Sequence, residues 1–310
     1  MIWFLLLAPL LFNWTGLIDT FLTKLFKNNQ DDWVLYDGTW TLMLISWIIP
    51  LIFSLLVWIF WYYQVFQITT TNIYILILCW VVYWLAAYPY FLAFHHDNIE
   101  NIIPILQTIP LFAYILWYIF LWEYLSSYQV GIISLIVLFT ILFWRNFEVK
   151  KMNRKSVLLI LLSSLLYAIS YLLFKIWWWE WVNIMWSYFW QYIWVAVWCL
   201  SLTINKKIRS TTYIYFQNNW RKFSLLNITN EIFFIIWVAI VNYFSLIYPL
   251  AIVNTLSQWL QPILWFLMTY ICFKLLPNIF EREYQKSHIY YKIWLCIISF
   301  ALLGLFFHST

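Results

Sequence analysis

The feature that most constrains this chain is a succession of ten long apolar runs separated by short polar gaps. The runs cover residues 2–26, 39–63, 72–94, 99–121, 127–144, 156–177, 183–203, 224–248, 251–275 and 289–308. A helix that crosses a bilayer needs about 20 mostly apolar residues, and its backbone must satisfy its own hydrogen bonds in lipid. The sequence therefore predicts an all-α integral membrane protein with ten transmembrane helices.

The composition excludes a soluble protein. Of the 310 residues, 65% are hydrophobic and only 9% are charged, whereas soluble domains carry about 25% charged residues. Ten spans use about 200 residues, which leaves no room for a second, soluble domain. The net charge of +5 predicts contact with lipid headgroups and not with nucleic acid. The four cysteines are isolated, so we expect neither a cofactor nor a metal.

The two halves of the chain resemble each other at an offset of 151 to 152 residues, which predicts an internal repeat. The matching positions are Lys24 and Lys175, YFLAF at 90–94 and NYFSL at 242–246, and Pro110 and Pro262. The first repeat is 1–144, the basic loop 145–155 connects the two, and the second repeat is 156–310. Because each repeat holds five spans, the second runs inverted to the first, which predicts a substrate site near the membrane midplane.

The basic residues predict an orientation. If loops alternate sides, 16 of the 17 Lys and Arg lie on one side, including those of the polar gap 205–222, and only Lys175 lies opposite. The positive-inside rule makes the basic side cytoplasmic and places both termini outside.

Several segments together resemble a known family. They are MIWFLLLAPLLFNWTGLIDTFLTK, YPYFLAF, IIPILQTIPLFAYILWYIFLWEYLSSYQVG and NEIFFIIWVAIVNYFSLIYPLAIVNTLSQWLQPI. The chain resembles EamA-like proteins of the drug/metabolite transporter superfamily. Their fourth-helix pattern is matched by Gln107, Pro110 and FLWE at 120–123, with Trp122 where that family has Gly. The resemblance implies ten helices in two inverted five-helix repeats, a substrate path between them, and both termini in the cytoplasm. The last point opposes the charge count, so the orientation stays open.

Ionisable groups inside a membrane are costly, so Asp19 and Glu231 are the first functional candidates. Each has a structural alternative: an interfacial carboxylate near Lys24 for Asp19, and a helix N-terminus for Glu231. Lys175 either attracts an anionic substrate or extends to the interface. The predicted substrate-path residues are Asn13, Asp19, Tyr90, Gln107, Pro110, Lys175, Glu231, Asn242, Gln258, Gln261 and Pro262.

These patterns favour a secondary transporter, an exporter or exchanger of a small metabolite in a bacterial cytoplasmic membrane. The sequence contains no nucleotide-binding loop, so H⁺ or Na⁺ is the expected coupling ion, and the protein is not expected to be an enzyme. The expected partners are the lipid bilayer and a small-molecule substrate, and a homodimer stays open. A non-transporting membrane scaffold and a membrane-embedded lipid-modifying enzyme are the alternatives.

This sequence has an unusually high tryptophan count and an unusually low glycine count. There are 25 Trp and 4 Gly, whereas average usage predicts about 22 Gly in a chain of this length. Some bacterial lineages read the codon UGA as glycine, so one hypothesis is that many of these tryptophans are glycines in the cell. The alternative is an aromatic-rich protein whose tryptophans lie at the membrane interfaces.

Overall fold

A computed structural model of the chain describes residues 5, 7–27, 40–41, 43–44, 46, 48–61, 69–96, 102, 105–106, 108–122, 124, 126–145, 153–178, 184–248, 250–259, 261, 264, 267–268, 270–271, 274, 297–298 and 301. All regular secondary structure in these residues is helical. The α-helices are α1 Leu7–Lys27, α2 Ile48–Trp61, α3 Thr70–His96, α4 Ile109–Phe120, α5 Ser127–Arg145, α6 Arg154–Trp178, α7 Ile184–Ser201, α8 Lys206–Ile247 and α9 Leu250–Trp259. These nine helices overlap the first nine apolar runs of the sequence in order. The tenth, 289–308, lies almost entirely outside the described residues.

Three of these helices contain segments long and apolar enough to cross a bilayer. The segments are Thr70–Ala93, Arg154–Ile176 and Ser224–Ile247. Large apolar side chains on two of them point outward: Leu158 is 67% exposed and Leu225 is 68% exposed. Soluble proteins seldom expose such surface contiguously, whereas lipid tails cover it at no cost. The prediction of a helical membrane protein is confirmed.

The helices associate in pairs that are far apart in sequence. α3 packs along α6, α1 along α8, and α2 along α7. Between α3 and α6, the Ser163 hydroxyl donates to the Ala86 carbonyl at 2.8 Å, and the Ser170 hydroxyl donates to the Cys79 carbonyl at 3.0 Å. Within lipid, such hydrogen bonds and close packing replace the hydrophobic effect as the source of helix association.

The helix α8 extends beyond the predicted eighth span. The apolar segment Ser224–Ile247 agrees with the span predicted at 224–248, and the polar gap before it is helical from Lys206 onward and continuous with the span. Asn205 caps this helix, since its side-chain oxygen accepts from the backbone N–H of Lys207 at 3.0 Å. No Gly or Pro interrupts the 42 residues, and the helix ends just before Pro249, which disfavours helical geometry in the residue that precedes it.

The end of α4 contains an unusual backbone conformation. The helix stops at Phe120, Leu121 is its C-cap, and the next residue, Trp122, has φ of 54°. Among the described residues, it is the only one other than glycine with positive φ. The left-handed region is a frequent helix terminator, but it is normally occupied by glycine.

Candidate functional site

A cavity of about 90 Å³ lies among α1, α3, α6 and α8. The segments before α2 and α4 also contribute to its wall, through Ser46 and Leu106. Its polar lining residues are Thr15, Asp19, Ser46, Asn227, Asn230 and Glu231. The three predicted path residues Asp19, Tyr90 and Glu231 therefore come together around one space.

Two carboxyl groups from different helices face this cavity. Asp19 of α1 accepts a hydrogen bond at 2.8 Å from the side-chain amide of Asn230, which belongs to α8. Glu231, the next residue of α8, is 7% exposed and lines the same cavity as Ser46 and Asp19. The site is therefore rich in hydrogen-bond acceptors inside an apolar helical protein.

Aromatic side chains form much of the remaining wall. Tyr83 and Tyr90 lie seven residues apart on one face of α3, and both are buried. The Tyr83 ring contacts Tyr167 of α6, with centroids 4.8 Å apart. The same Tyr83 ring lies 5.7 Å from Phe234 of α8. These rings give the cavity flat apolar faces beside its carboxyl groups.

Two predicted path residues serve helix packing instead of lining this cavity. The Asn13 side-chain amide donates to the backbone carbonyl of Gln261 at 2.9 Å, which ties α1 to the chain beyond α9. The Gln261 side chain donates to the Ser257 carbonyl at 3.4 Å within its own helical region. Both residues are 1% exposed. Their side-chain N–H groups donate between and within helices, as buried amides in membranes commonly do.

Three further path residues are placed away from the described cavity wall. Asn242 is buried in α8, close to the position where the Tyr188 hydroxyl of α7 donates to the Ala239 carbonyl at 3.5 Å. The Lys175 ammonium lies 5.9 Å above the ring of Trp117, so these two side chains join α6 to α4. Pro110 is buried in the first turn of α4, where its missing N–H costs nothing. Gln107, Pro262 and the side chain of Gln258 lie outside the described residues.

Sequence reasoning missed much of the wall itself. Ser46 and the tyrosines at 83, 167 and 171 line the cavity but were not among the predicted path residues. A signal existed for the pair Tyr167 and Tyr171, which share one helical face at a spacing of four residues. Tyrosine is so common in this chain, with 23 copies, that the spacing alone did not distinguish them.

The fold and the site define a helical membrane protein with a carboxyl-bearing cavity enclosed by apolar and aromatic side chains. Within the described ranges, no three His, Cys, Asp or Glu residues come together as a metal site would require. No protein-family model matches the chain, and a search of the curated proteins found no match.

Proposed function

We propose that the protein is a ten-helix secondary transporter of the EamA-like type that moves a small metabolite by alternating access. The observation that carries this proposal is the cavity between α1, α3, α6 and α8, into which Asp19 and Glu231 project. Carboxyl groups inside a membrane are expensive, and they are found where a substrate or coupling ion is bound. Transporters place such sites between structural repeats.

The hydrogen bonds between helices support the inverted repeat. Asp19 bonds Asn230 between α1 and α8, and Ser170 bonds Cys79 between α6 and α3. Adding 151 to Asp19 gives Ser170, and adding 151 to Cys79 gives Asn230. Each residue of one contact therefore has its counterpart in the other contact, at the same offset that relates the two halves of the sequence. A two-fold axis between the halves accounts for this exchange.

A second pair of contacts follows the same rule. Phe12 and Trp237 lie with ring centroids 5.0 Å apart, and their counterparts at the offset of 151 are Ser163 and Ala86, which are hydrogen-bonded. The offset therefore again relates a contact between α1 and α8 to a contact between α6 and α3.

One aromatic contact is its own counterpart. Tyr83 and Phe234 differ by 151 in number and touch each other with ring centroids 5.7 Å apart. A residue can contact its own repeat equivalent only near the symmetry axis. Both rings line the cavity, so the proposed axis passes through the proposed site.

In the proposed cycle, the repeats 1–144 and 156–310 rock against each other and expose the cavity to each side of the membrane in turn. α1 and α8 pack together and come from different repeats, and so do α3 and α6. Both pairs of cavity-lining helices therefore cross the boundary along which the repeats would move. H⁺ or Na⁺ supplies the driving force through the two carboxyl groups. The membrane is the bacterial cytoplasmic membrane, and the charge distribution favours termini outside.

The test is efflux from proteoliposomes that contain the full chain and a mixture of small metabolites. Mass spectrometry of the retained contents should show one metabolite class depleted relative to protein-free liposomes. Glu231→Gln should reduce this depletion, whereas Ser170→Ala, at a helix contact outside the cavity, should not. Equal retention in all liposomes, with folded protein present, would contradict transport and favour a membrane scaffold.

A further inference from the structure

The chain carries a tryptophan at a backbone position that favours glycine. Trp122 follows Leu121, the C-cap of α4, and has φ of 54°. In this left-handed conformation the Cβ atom of an L residue crowds its own backbone, whereas glycine has no Cβ and adopts it without strain. Helices commonly end on a glycine in this conformation, one residue after the C-cap. Position 122 therefore has the geometry of a helix-terminating glycine.

The surroundings of Trp122 do not account for this strain. A strained backbone persists where the neighbouring structure holds the residue in place. The Trp122 side chain is 72% exposed, so packing of the ring does not hold it there.

Buried tryptophans in the helical core show a second, independent anomaly. A buried indole N–H usually finds a hydrogen-bond acceptor, because leaving it without one costs free energy. Within the part of the chain that the structure describes, six buried indole N–H groups have no acceptor, and they belong to Trp80, Trp84, Trp117, Trp194, Trp198 and Trp237. Glycine at these positions would leave no such donor.

Two of these six tryptophans lie near the middle of apolar spans. Trp80 is 10 residues from the start of Thr70–Ala93 and 13 from its end, and Trp237 is 13 residues from the start of Ser224–Ile247 and 10 from its end. At a rise of about 1.5 Å per residue, each lies about 15 Å or more from both ends of its span. Membrane tryptophans are enriched at the interfaces, where their N–H reaches headgroups and water. An interfacial aromatic belt therefore does not explain these two.

The same two tryptophans stand where helices contact each other. The Trp237 ring of α8 lies 5.0 Å from the Phe12 ring of α1, and the Trp80 ring of α3 lies 5.7 Å from the Tyr192 ring of α7, measured between centroids. Helix contacts in membranes are enriched in glycine and other small residues, because these let two backbones approach closely. Indoles without a hydrogen bond therefore occupy positions where small residues are normally found.

The proposed repeat supplies a comparison for one of these contacts. Phe12 and Trp237 have Ser163 and Ala86 as their counterparts at the offset of 151. The Ser163 hydroxyl donates to the Ala86 carbonyl at 2.8 Å, and both side chains at this contact are small. Glycine at position 237 would place a small residue at the equivalent point between α1 and α8.

We infer that Trp122 and the six buried tryptophans are glycines in the cell that makes this protein, encoded by UGA codons that a glycine tRNA reads. Translation of the same gene with a code in which UGA specifies tryptophan gives a chain with 25 Trp and 4 Gly. Their total of 29, from 25 and 4, is near the expectation for glycine in a membrane protein of this length. Because Trp84 and Trp237 line the cavity, glycine there would remove two indole rings from the candidate site and leave Asp19 and Glu231 in place.

Cleavage after glutamate gives one peptide that tests two of the seven positions. Glu100 and Glu123 bound the segment 101–123, which contains position 117, one of the six, and position 122. The experiment sequences this peptide by mass spectrometry, from protein isolated from the cells that make it, and reads the two codons in the gene. The expected result is UGA at both codons and glycine at both positions. The control is a UGG-encoded tryptophan in another protein of the same digest, which should be read as tryptophan.

UGG at either codon overturns the inference, and so does tryptophan in the native peptide at a UGA codon. Neither measurement needs a variant that folds or a transport assay. Glycine at both positions without efflux from proteoliposomes would therefore support the recoding and remove only the proposed transport, and the reverse result would remove only the recoding.

Discussion

Replacing Asn230 by alanine removes the amide that joins α8 to Asp19 of α1. The hydrogen bond is 2.8 Å long, and Asn230 is 9% exposed. Hydrogen bonds between helices in a membrane contribute about 0.6 kcal/mol on average and up to about 1.7. Bonds to a carboxyl group lie toward the upper end, because charge-assisted hydrogen bonds are about twice as strong as neutral ones.

We therefore expect a coupling energy of about 1.5 kcal/mol between Asp19 and Asn230 in a double-mutant cycle. The cycle uses Asp19→Ala, Asn230→Ala and the double variant, with reversible unfolding in mixed detergent micelles followed by circular dichroism. Thr229→Ala is the matched control, since its hydroxyl donates at 2.8 Å to the Leu225 carbonyl of its own helix and faces outward. Its effect should stay within about 0.5 kcal/mol.

A coupling energy within about 0.3 kcal/mol of zero, which is the scatter of independent sites, would refute the reasoning. The two side chains would then be neighbours without energetic consequence. The same cycle on Cys79 and Ser170, the counterparts at the offset of 151, should give a smaller value because both partners are neutral.

Three other predictions follow from the site, the charges and the end of α4. Asp19→Asn should keep the bond from the Asn230 amide and the folded protein but reduce efflux from proteoliposomes; unchanged efflux would return Asp19 to an interfacial role. Ser126→Cys should react with a membrane-impermeant thiol reagent from outside and Ser210→Cys only after permeabilisation, since both sites are exposed; the opposite pattern would place the termini inside. Trp122→Gly should stabilise the protein by about 1 kcal/mol in thermal unfolding, because it relieves positive φ, whereas Trp122→Ala should not; equal effects would mean that the left-handed conformation carries no strain.

Hydropathy predicted the helices well where they are immersed in lipid. The runs 72–94 and 156–177 became α3 Thr70–His96 and α6 Arg154–Trp178, each within two residues of its predicted ends. It gave no sign that the polar segment 206–222 is helical, because hydropathy reports immersion in the membrane and not helicity. A polar helix that leaves the bilayer has the hydropathy of a loop.

The site was predictable only in part. Asp19 and Glu231 were identified because a carboxyl group in lipid needs a strong reason to be there. Neutral amides give no such signal: Asn13 holds a carbonyl between helices, whereas Asn230 lines the cavity. The helix-packing role of one and the cavity-lining role of the other can be told apart only from the groups that surround each side chain in the structure.

The helix α8 is longer than a membrane span requires. Its 42 residues extend about 63 Å, whereas a bilayer with its headgroups is about 40 to 45 Å thick. The segment 206–223, before the apolar span that begins at Ser224, is about 27 Å long. Because Asn230 and Glu231 belong to the same unbroken helix, a tilt of α8 at the cavity would also move the segment 206–223, in which the Thr212 hydroxyl donates to the Thr41 hydroxyl at 3.2 Å. A distance probe at Lys206 would therefore report the position of the cavity wall without touching the cavity.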